Sequence, residues 1–187
     1  MRRGFKADAE RRAEAARTDL GLDPLAKLDP WVYAAKLGVL VFDVNDLDLD
    51  PAHVSQLLVH DPDSWSGMTL DEDGVRLIVL NNAQSKRRQC STLMHELSHL
   101  ILEHVPASVN VSPSGLTLLS DYSDEQEEEA DWLGAALLLP QAALLHHRST
   151  GSSMQEIARH FGVSDDLCSW RCRMTGVEKR LAFRARA

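Results

Sequence analysis

The feature that most constrains this chain is His95-Glu96-Leu97-Ser98-His99, set inside an apolar stretch with Leu93, Met94, Leu100, Ile101 and Leu102. The spacing predicts a buried helix over residues 89–104, ended by Pro106. On a helix, residues i and i+4 share a face, about 6 Å apart. Two imidazoles so placed can point at one metal ion, and Glu96 stands one position on, close enough to hold a water beside it. A solvated His-Glu face without metal fits poorly here, because two histidines on a core helix need polar partners.

A catalytic zinc takes a third protein ligand. Glu103 lies roughly 12 Å along a straight helix from His95, too far to share an ion with it. His104, five residues after His99, points roughly 140° away on a continuing helix. Both read as structural or surface residues. The acidic helix expected over residues 124–139 is the better source. Glu127 and Asp131 stand four apart, so one can bind the metal while the other hydrogen-bonds the far nitrogen of a ligand histidine. Glu128 stands three before Asp131, and spacing alone leaves Glu127 and Glu128 open. Glu125 and Glu129 read as solvated.

Around these two helices the chain reads as α+β. Residues 7–19, rich in Ala, Glu and Arg, predict a solvated helix. Asp29-Pro30 opens a second helix, which ends before Gly38. Residues 39–44 read as a buried strand. Residues 66–70 and 75–80 read as strands joined by a turn at Asp73-Gly74, giving a small, mostly antiparallel sheet. Residues 105–122 read as an irregular crossing with a short strand. The expected organisation is an N-terminal extension (1–27), a core (28–145) and a C-terminal helical segment with a basic tail (146–187).

Composition removes several classes. No apolar run among the 187 residues approaches the roughly 18 a membrane helix needs. The basic start, Met1 to Lys6, has no apolar stretch after it and is not a secretory signal. Three cysteines do not make a disulfide framework, and Cys168 and Cys172 read as reduced thiols of a cytosolic protein. A net charge of −8 argues against a surface built for nucleic acid.

Two segments, Ser91-Thr-Leu-Met-His-Glu-Leu-Ser-His-Leu100 and Glu127-Glu-Glu-Ala-Asp-Trp-Leu-Gly-Ala-Ala-Leu-Leu-Leu-Pro140, resemble the paired motifs of the ImmA/IrrE metallopeptidases. The likeness covers roughly residues 28–175. Aligning on Ala130 implies Glu127 as the glutamate ligand, with Asp131 on the family's Asn/Asp position. Ser98 departs from a frequent glycine, and residues 1–27 are too short for the helix-turn-helix module that many relatives carry. The resemblance implies a sheet packed on the HExxH helix and the glutamate helix, like a reduced thermolysin-type core. It also implies a cytosolic endopeptidase cleaving a helix-turn-helix repressor in a phage, mobile-element or stress-response circuit.

In that reading His95, His99 and Glu127 hold the metal, Glu96 is the base and Asp131 orients a histidine. Zinc suits this donor set best, and manganese and iron are compatible with it. The strand over residues 75–80 would offer its edge to an extended peptide. Tyr122, His146 and His147 are candidates for an oxyanion donor.

Residues 157–168 resemble a helix-turn-helix, with Gly162 at the turn and Ser164 as cap. Its second helix opens with Asp165-Asp166, which would face phosphates unfavourably, although Arg171, Arg173, Lys179, Arg180, Arg184 and Arg186 follow. Two other classes remain: a DNA-associated regulator with a structural metal site, and a toxin- or antitoxin-type interaction protein with a degenerate one. An intact Glu96 argues against the second.

Overall fold

The computed structural model describes residues 1–72, 74–106, 108–111 and 117–184. Asp73 of the expected turn and Arg186 of the basic tail lie outside the described residues. The fold is mixed α+β, with five strands in one sheet and nine α-helices among the described residues. Among the described residues no helix is long and apolar enough to cross a membrane.

Strands β1 (Leu40–Asp43), β2 (Gly67–Glu72), β3 (Val75–Leu80), β4 (Ser108–Val111) and β5 (Thr117–Ser120) lie in the order β1-β3-β2-β5-β4. β1 pairs parallel with β3, and the other pairs are antiparallel. Three expectations change here. β1 is an edge strand rather than a buried one, and Leu40 is 48% exposed. β3 lies between β1 and β2 with both edges paired, so it has no edge to offer a peptide. The crossing over residues 105–122 contains two strands, β4 and β5, paired with each other. The sequence hid β1's pairing because a parallel partner is reached through a long connection rather than a turn.

The helices are α1 (Phe5–Asp19), α2 (Pro30–Lys36), α3 (Pro51–Ser55), α4 (Lys86–Ile101), α5 (Asp124–Leu138), α6 (Gln141–Ser149), α7 (Met154–Phe161), α8 (Asp165–Thr175) and α9 (Val177–Arg184). Asp29 caps α2 by accepting from the amides of Trp31 and Val32. Ser123 caps α5 through a reciprocal bond with Gln126, which fixes where the acidic helix begins. α4 starts at Lys86, three residues earlier than the apolar periodicity suggests, because Ser85 caps it by accepting from Arg88 N–H.

α4 and α5 pack directly on each other. A β-carbon on Gly134 of α5 would stand 3.2 Å from the carbonyl oxygen of Met94 on α4. Glycine costs a helix interior roughly 0.5–1 kcal/mol relative to alanine, so its place here reflects the close approach of two backbones. α4 also meets the sheet, where a β-carbon on Gly67 of β2 would stand 2.6 Å from Thr92 Cγ2.

α1 is not a solvated helix. Phe5, Ala9, Ala13, Ala16 and Arg17 are buried, and the helix packs along α5. The buried Arg17 guanidinium donates to the carbonyls of Ala13, Ala26 and Leu137. Burial draws its pKa down to about 10, which leaves it a cation at neutral pH. Arg171 of α8 is equally enclosed, donating to Leu139 O and pairing with Glu10 of α1. It therefore cannot serve as a DNA-facing cation. One buried cluster joins Phe5 of α1, Leu93 of α4, Leu133 of α5, Phe161 of α7 and Val177 of α9.

The α7–α8 pair has the expected turn. Gly162 takes φ 72°, and Ser164 accepts from Leu167 N–H. Cys168 and Cys172 are buried beside the Met154 sulfur, at 3.9 and 3.4 Å.

Candidate metal centre

α4 and α5 bring three ligand types to one point. The Nε2 atoms of His95 and His99 are 3.1 Å apart. Glu127 places Oε2 at 3.2 Å from His95 Nε2 and Oε1 at 3.6 Å from His99 Nε2. Donors bound tetrahedrally at 2.0–2.1 Å from one ion stand about 3.3 Å from each other, so this donor set fits a small divalent metal. Among the described residues, these three are the one group of three or more His, Cys, Asp or Glu so convergent.

The far nitrogen of each histidine is held. His95 Nδ1 lies 2.9 Å from Asp131 Oδ1. His99 Nδ1 lies 3.1 Å from Nδ1 of His104. Both contacts leave the Nε2 lone pairs free to converge on the metal point. The part played by His104 overturns its reading as a residue turned away. α4 stops at Ile101, Glu103 takes φ 53°, and the chain folds back so that His104 N–H donates to His99 O at 3.0 Å. A continuing helix, the premise of the sequence reading, would have sent the ring elsewhere.

Spacing left Glu127 and Glu128 equal, and the fold separates them. Glu128 receives the amino group of Met1 at 2.9 Å, and the same group stands 3.1 Å from Glu125. Glu129 is 3% exposed rather than solvated. It accepts from the backbone and side chain of Arg2 and lies 3.6 Å from His104 Nε2. Its pKa is lowered on balance: burial acts to raise it, and the Arg2 hydrogen bonds outweigh burial.

Glu96 projects from α4 beside His95 and is joined to the sheet. The Thr69 hydroxyl of β2, fully buried, donates to Glu96 Oε2 at 2.6 Å. No local pattern singles out Thr69, since its partner lies 27 residues on. Burial pushes Glu96 above the usual carboxylate range, opposed by the Thr69 bond and the charge of His95. For His95, burial acts to lower the pKa, but the Asp131 hydrogen bond and nearby carboxylates outweigh it, and the net shift is upward. His99 goes the other way, drawn down to about 3 by burial and by the charges of His95 and His104. It is neutral at pH 7, as a metal ligand must be.

Tyr122 stacks on His99, with ring centroids 3.8 Å apart and planes at 24°. Burial, with help from Glu96 and Glu127, pushes its phenol up to about 12, so it keeps its proton at neutral pH. His146 and His147 sit on α6, where His147 meets His160 and Phe161 of α7 rather than the α4 histidines. Between α4 and β2 runs a cleft of about 300 Å³ that contains His95, Glu96 and Asp131.

A comparison with curated proteins finds no match. Residues 35–171, well over half of the chain and including both motif-bearing helices, match peptidase family M78, described as the IrrE N-terminal-like domain. The chain thus belongs to peptidase family M78, a family of metallopeptidase type.

Proposed function

We propose that this chain is a divalent-metal endopeptidase that cleaves a specific cytosolic protein, a helix-turn-helix repressor, to switch gene expression. The observation that carries the reading is the convergence of His95, His99 and Glu127 donor atoms within 3.1–3.6 Å of one another. Family membership supports the reaction class. The repressor as substrate follows from the resemblance in the paired motifs.

In this reading His95, His99 and Glu127 hold the metal, with zinc the best match to two imidazoles and a carboxylate. Bound there, the ion would supply the Lewis acidity that lowers the pKa of water and polarises a carbonyl. Glu96 accepts the proton of the attacking water at Oε1, the oxygen not engaged by Thr69, and delivers it to the departing amine. Asp131 and His104 keep the ligand histidines in their Nδ1–H tautomers. Tyr122, protonated at working pH, is the candidate donor to the developing oxyanion. The DNA-binding reading is disfavoured by the burial of Arg171 and by Asp165-Asp166 at the start of α8.

The test compares wild type with Glu96→Gln. Both are purified, their metal content is measured, and each is incubated with helix-turn-helix repressors encoded beside the gene, with zinc or manganese added. Cleavage by wild type alone, with metal retained in both, is the expected result. Absence of bound metal from both proteins would overturn the reading and favour an interaction protein.

A further inference from the structure

The cleft beside His95 and Glu96 continues toward the N-terminal end of α4, where its walls are Ser66, Gly67, Arg88, Ser91 and Thr92. Arg88 precedes His95 by seven residues. Seven residues turn a helix to within about 20° of two full turns and advance it roughly 10.5 Å, so Arg88 and His95 lie on one stripe. Arg88 is held toward the cleft wall. Its Nη2 donates to Ser66 Oγ at 3.2 Å, and Ser66 Oγ also accepts from Gln84 Nε2 at 3.0 Å. Gln84 in turn donates to Trp65 O, which ties the corner to the loop before β2.

This guanidinium is uncompensated. Among the described residues no carboxylate pairs with Arg88, although the chain carries eight more negative than positive charges. The two carboxylates that line the cleft are engaged elsewhere, Glu96 with Thr69 and Asp131 with His95. Lys86 and Arg87 stand beside it, with the Lys86 ammonium 3.4 Å over the Trp31 ring, and no acidic residue occupies the first turn of α4. Three cations at the positive pole of a helix oppose its macrodipole. A bound anion would relieve that cost.

We propose that this end of the cleft is a subsite for an acidic side chain of the peptide substrate, with Arg88 as the specificity-determining residue. The proposal rests on the peptidase reading of the site. An extended peptide advances about 3.3 Å per residue, so the acidic residue falls about three positions from the scissile bond. Arginine suits this task because its planar fork can grip a carboxylate with two N–H groups while a third contact stays on Ser66.

The test is binding, not turnover. The full chain is loaded with zinc and titrated with short peptide hydroxamates in two series. One carries the variable residue N-terminal to the metal-binding group, the other C-terminal to it, in each case three positions away as Glu, Gln or Lys. In one of the series the Glu compound binds about tenfold tighter than the Gln compound, and Lys is weakest. Arg88→Ala brings Glu and Gln within about twofold, and Arg88→Glu reverses the order of Glu and Lys. Melting curves and metal content check that both variants are folded, and Arg88 is exposed enough for this to be expected. Equal affinities within both series, or a Glu preference that survives Arg88→Ala, would overturn the subsite while leaving the peptidase reading intact. Failure of every hydroxamate to bind zinc-loaded protein would overturn both.

Discussion

Thr69 Oγ1 donates to Glu96 Oε2 at 2.6 Å, joining the central strand of the sheet to the carboxylate beside the metal point. The bond fixes the rotamer of a group that must face water on one side and a leaving amine on the other. It also favours the ionised form of Glu96, against burial. Thr69→Val keeps the shape and removes the donor. We expect kcat to fall about tenfold, the scale of one hydrogen bond to a charged group. The sign of the pH effect follows. Without the donor the Glu96 pKa rises, and the base must be ionised, so the acid limb of kcat/KM moves to higher pH. Thr69→Ser restores both, and a pH–rate profile of the three proteins checks it.

Glu127 and Glu128 provide a paired test of the ligand set. Glu127 faces both histidines, whereas Glu128 pairs with the amino group of Met1. Glu127→Gln removes an anionic ligand and should leave the purified protein with little zinc. Glu128→Gln should retain a full equivalent. Metal analysis after dialysis against a weak chelator separates them, and equal losses would remove Glu127 from the centre.

Asp131 should matter through His95. Its carboxylate holds Nδ1 at 2.9 Å but is largely exposed, so its contribution is orientation more than burial energy. Asp131→Ala is expected to weaken zinc binding about 10- to 100-fold. Asp131→Asn, which keeps an acceptor without the charge, should fall between. Competition with a chromogenic chelator measures both.

What the sequence revealed of the site was what helical repetition encodes. His95 and His99 sit on one stripe of α4 because i and i+4 coincide on any α-helix, Glu96 stands one position on beside them, and Asp131 follows Glu127 by the i, i+4 rule. Position along a helix could not rank Glu127 over Glu128, because that choice depends on how α5 is rotated against α4, set by Gly134 and Met94. His104 was illegible because its place depends on where α4 ends and on one left-handed residue, Glu103. Thr69 and Glu129 find their partners across 27 and 127 residues, and no local pattern reports such pairings. The parallel pairing of β1 with β3 was hidden in the same way.

Gly134 links fold to site. Any side chain there meets the α4 backbone between Met94 and His95, where even a lone β-carbon would stand 3.2 Å from Met94 O. Gly134→Val adds two further carbons at that contact and must push α4 and α5 apart. Overpacking of this kind costs about 1–3 kcal/mol. Because His95 and Glu127 belong to different helices, zinc affinity should fall with stability. Denaturant melts with and without zinc test this: the variant should show a lower midpoint and a smaller gain from the metal.

Glu10 and Arg171 tie α1 to α8. Arg171 is fully buried, and its guanidinium reaches Glu10 Oε1, while Glu10 Oε2 accepts from the Gln141 backbone N–H at the start of α6. One carboxylate thus answers groups on two other helices. Removing it by Glu10→Ala leaves a buried cation short of its counter-charge and an amide short of its acceptor. A fully buried pair broken on one side costs about 3–5 kcal/mol. Glu10 is 24% exposed, so water can recover part of that, and about 2–3 kcal/mol is expected. Glu10→Gln retains acceptance from Gln141 and should lose less. The double variant Glu10→Ala with Arg171→Met should be more stable than Glu10→Ala alone, because the stranded charge goes with its partner. Urea melts of the three variants decide it. A double variant no more stable than Glu10→Ala would mean that Arg171 contributes mainly through its bond to Leu139 O.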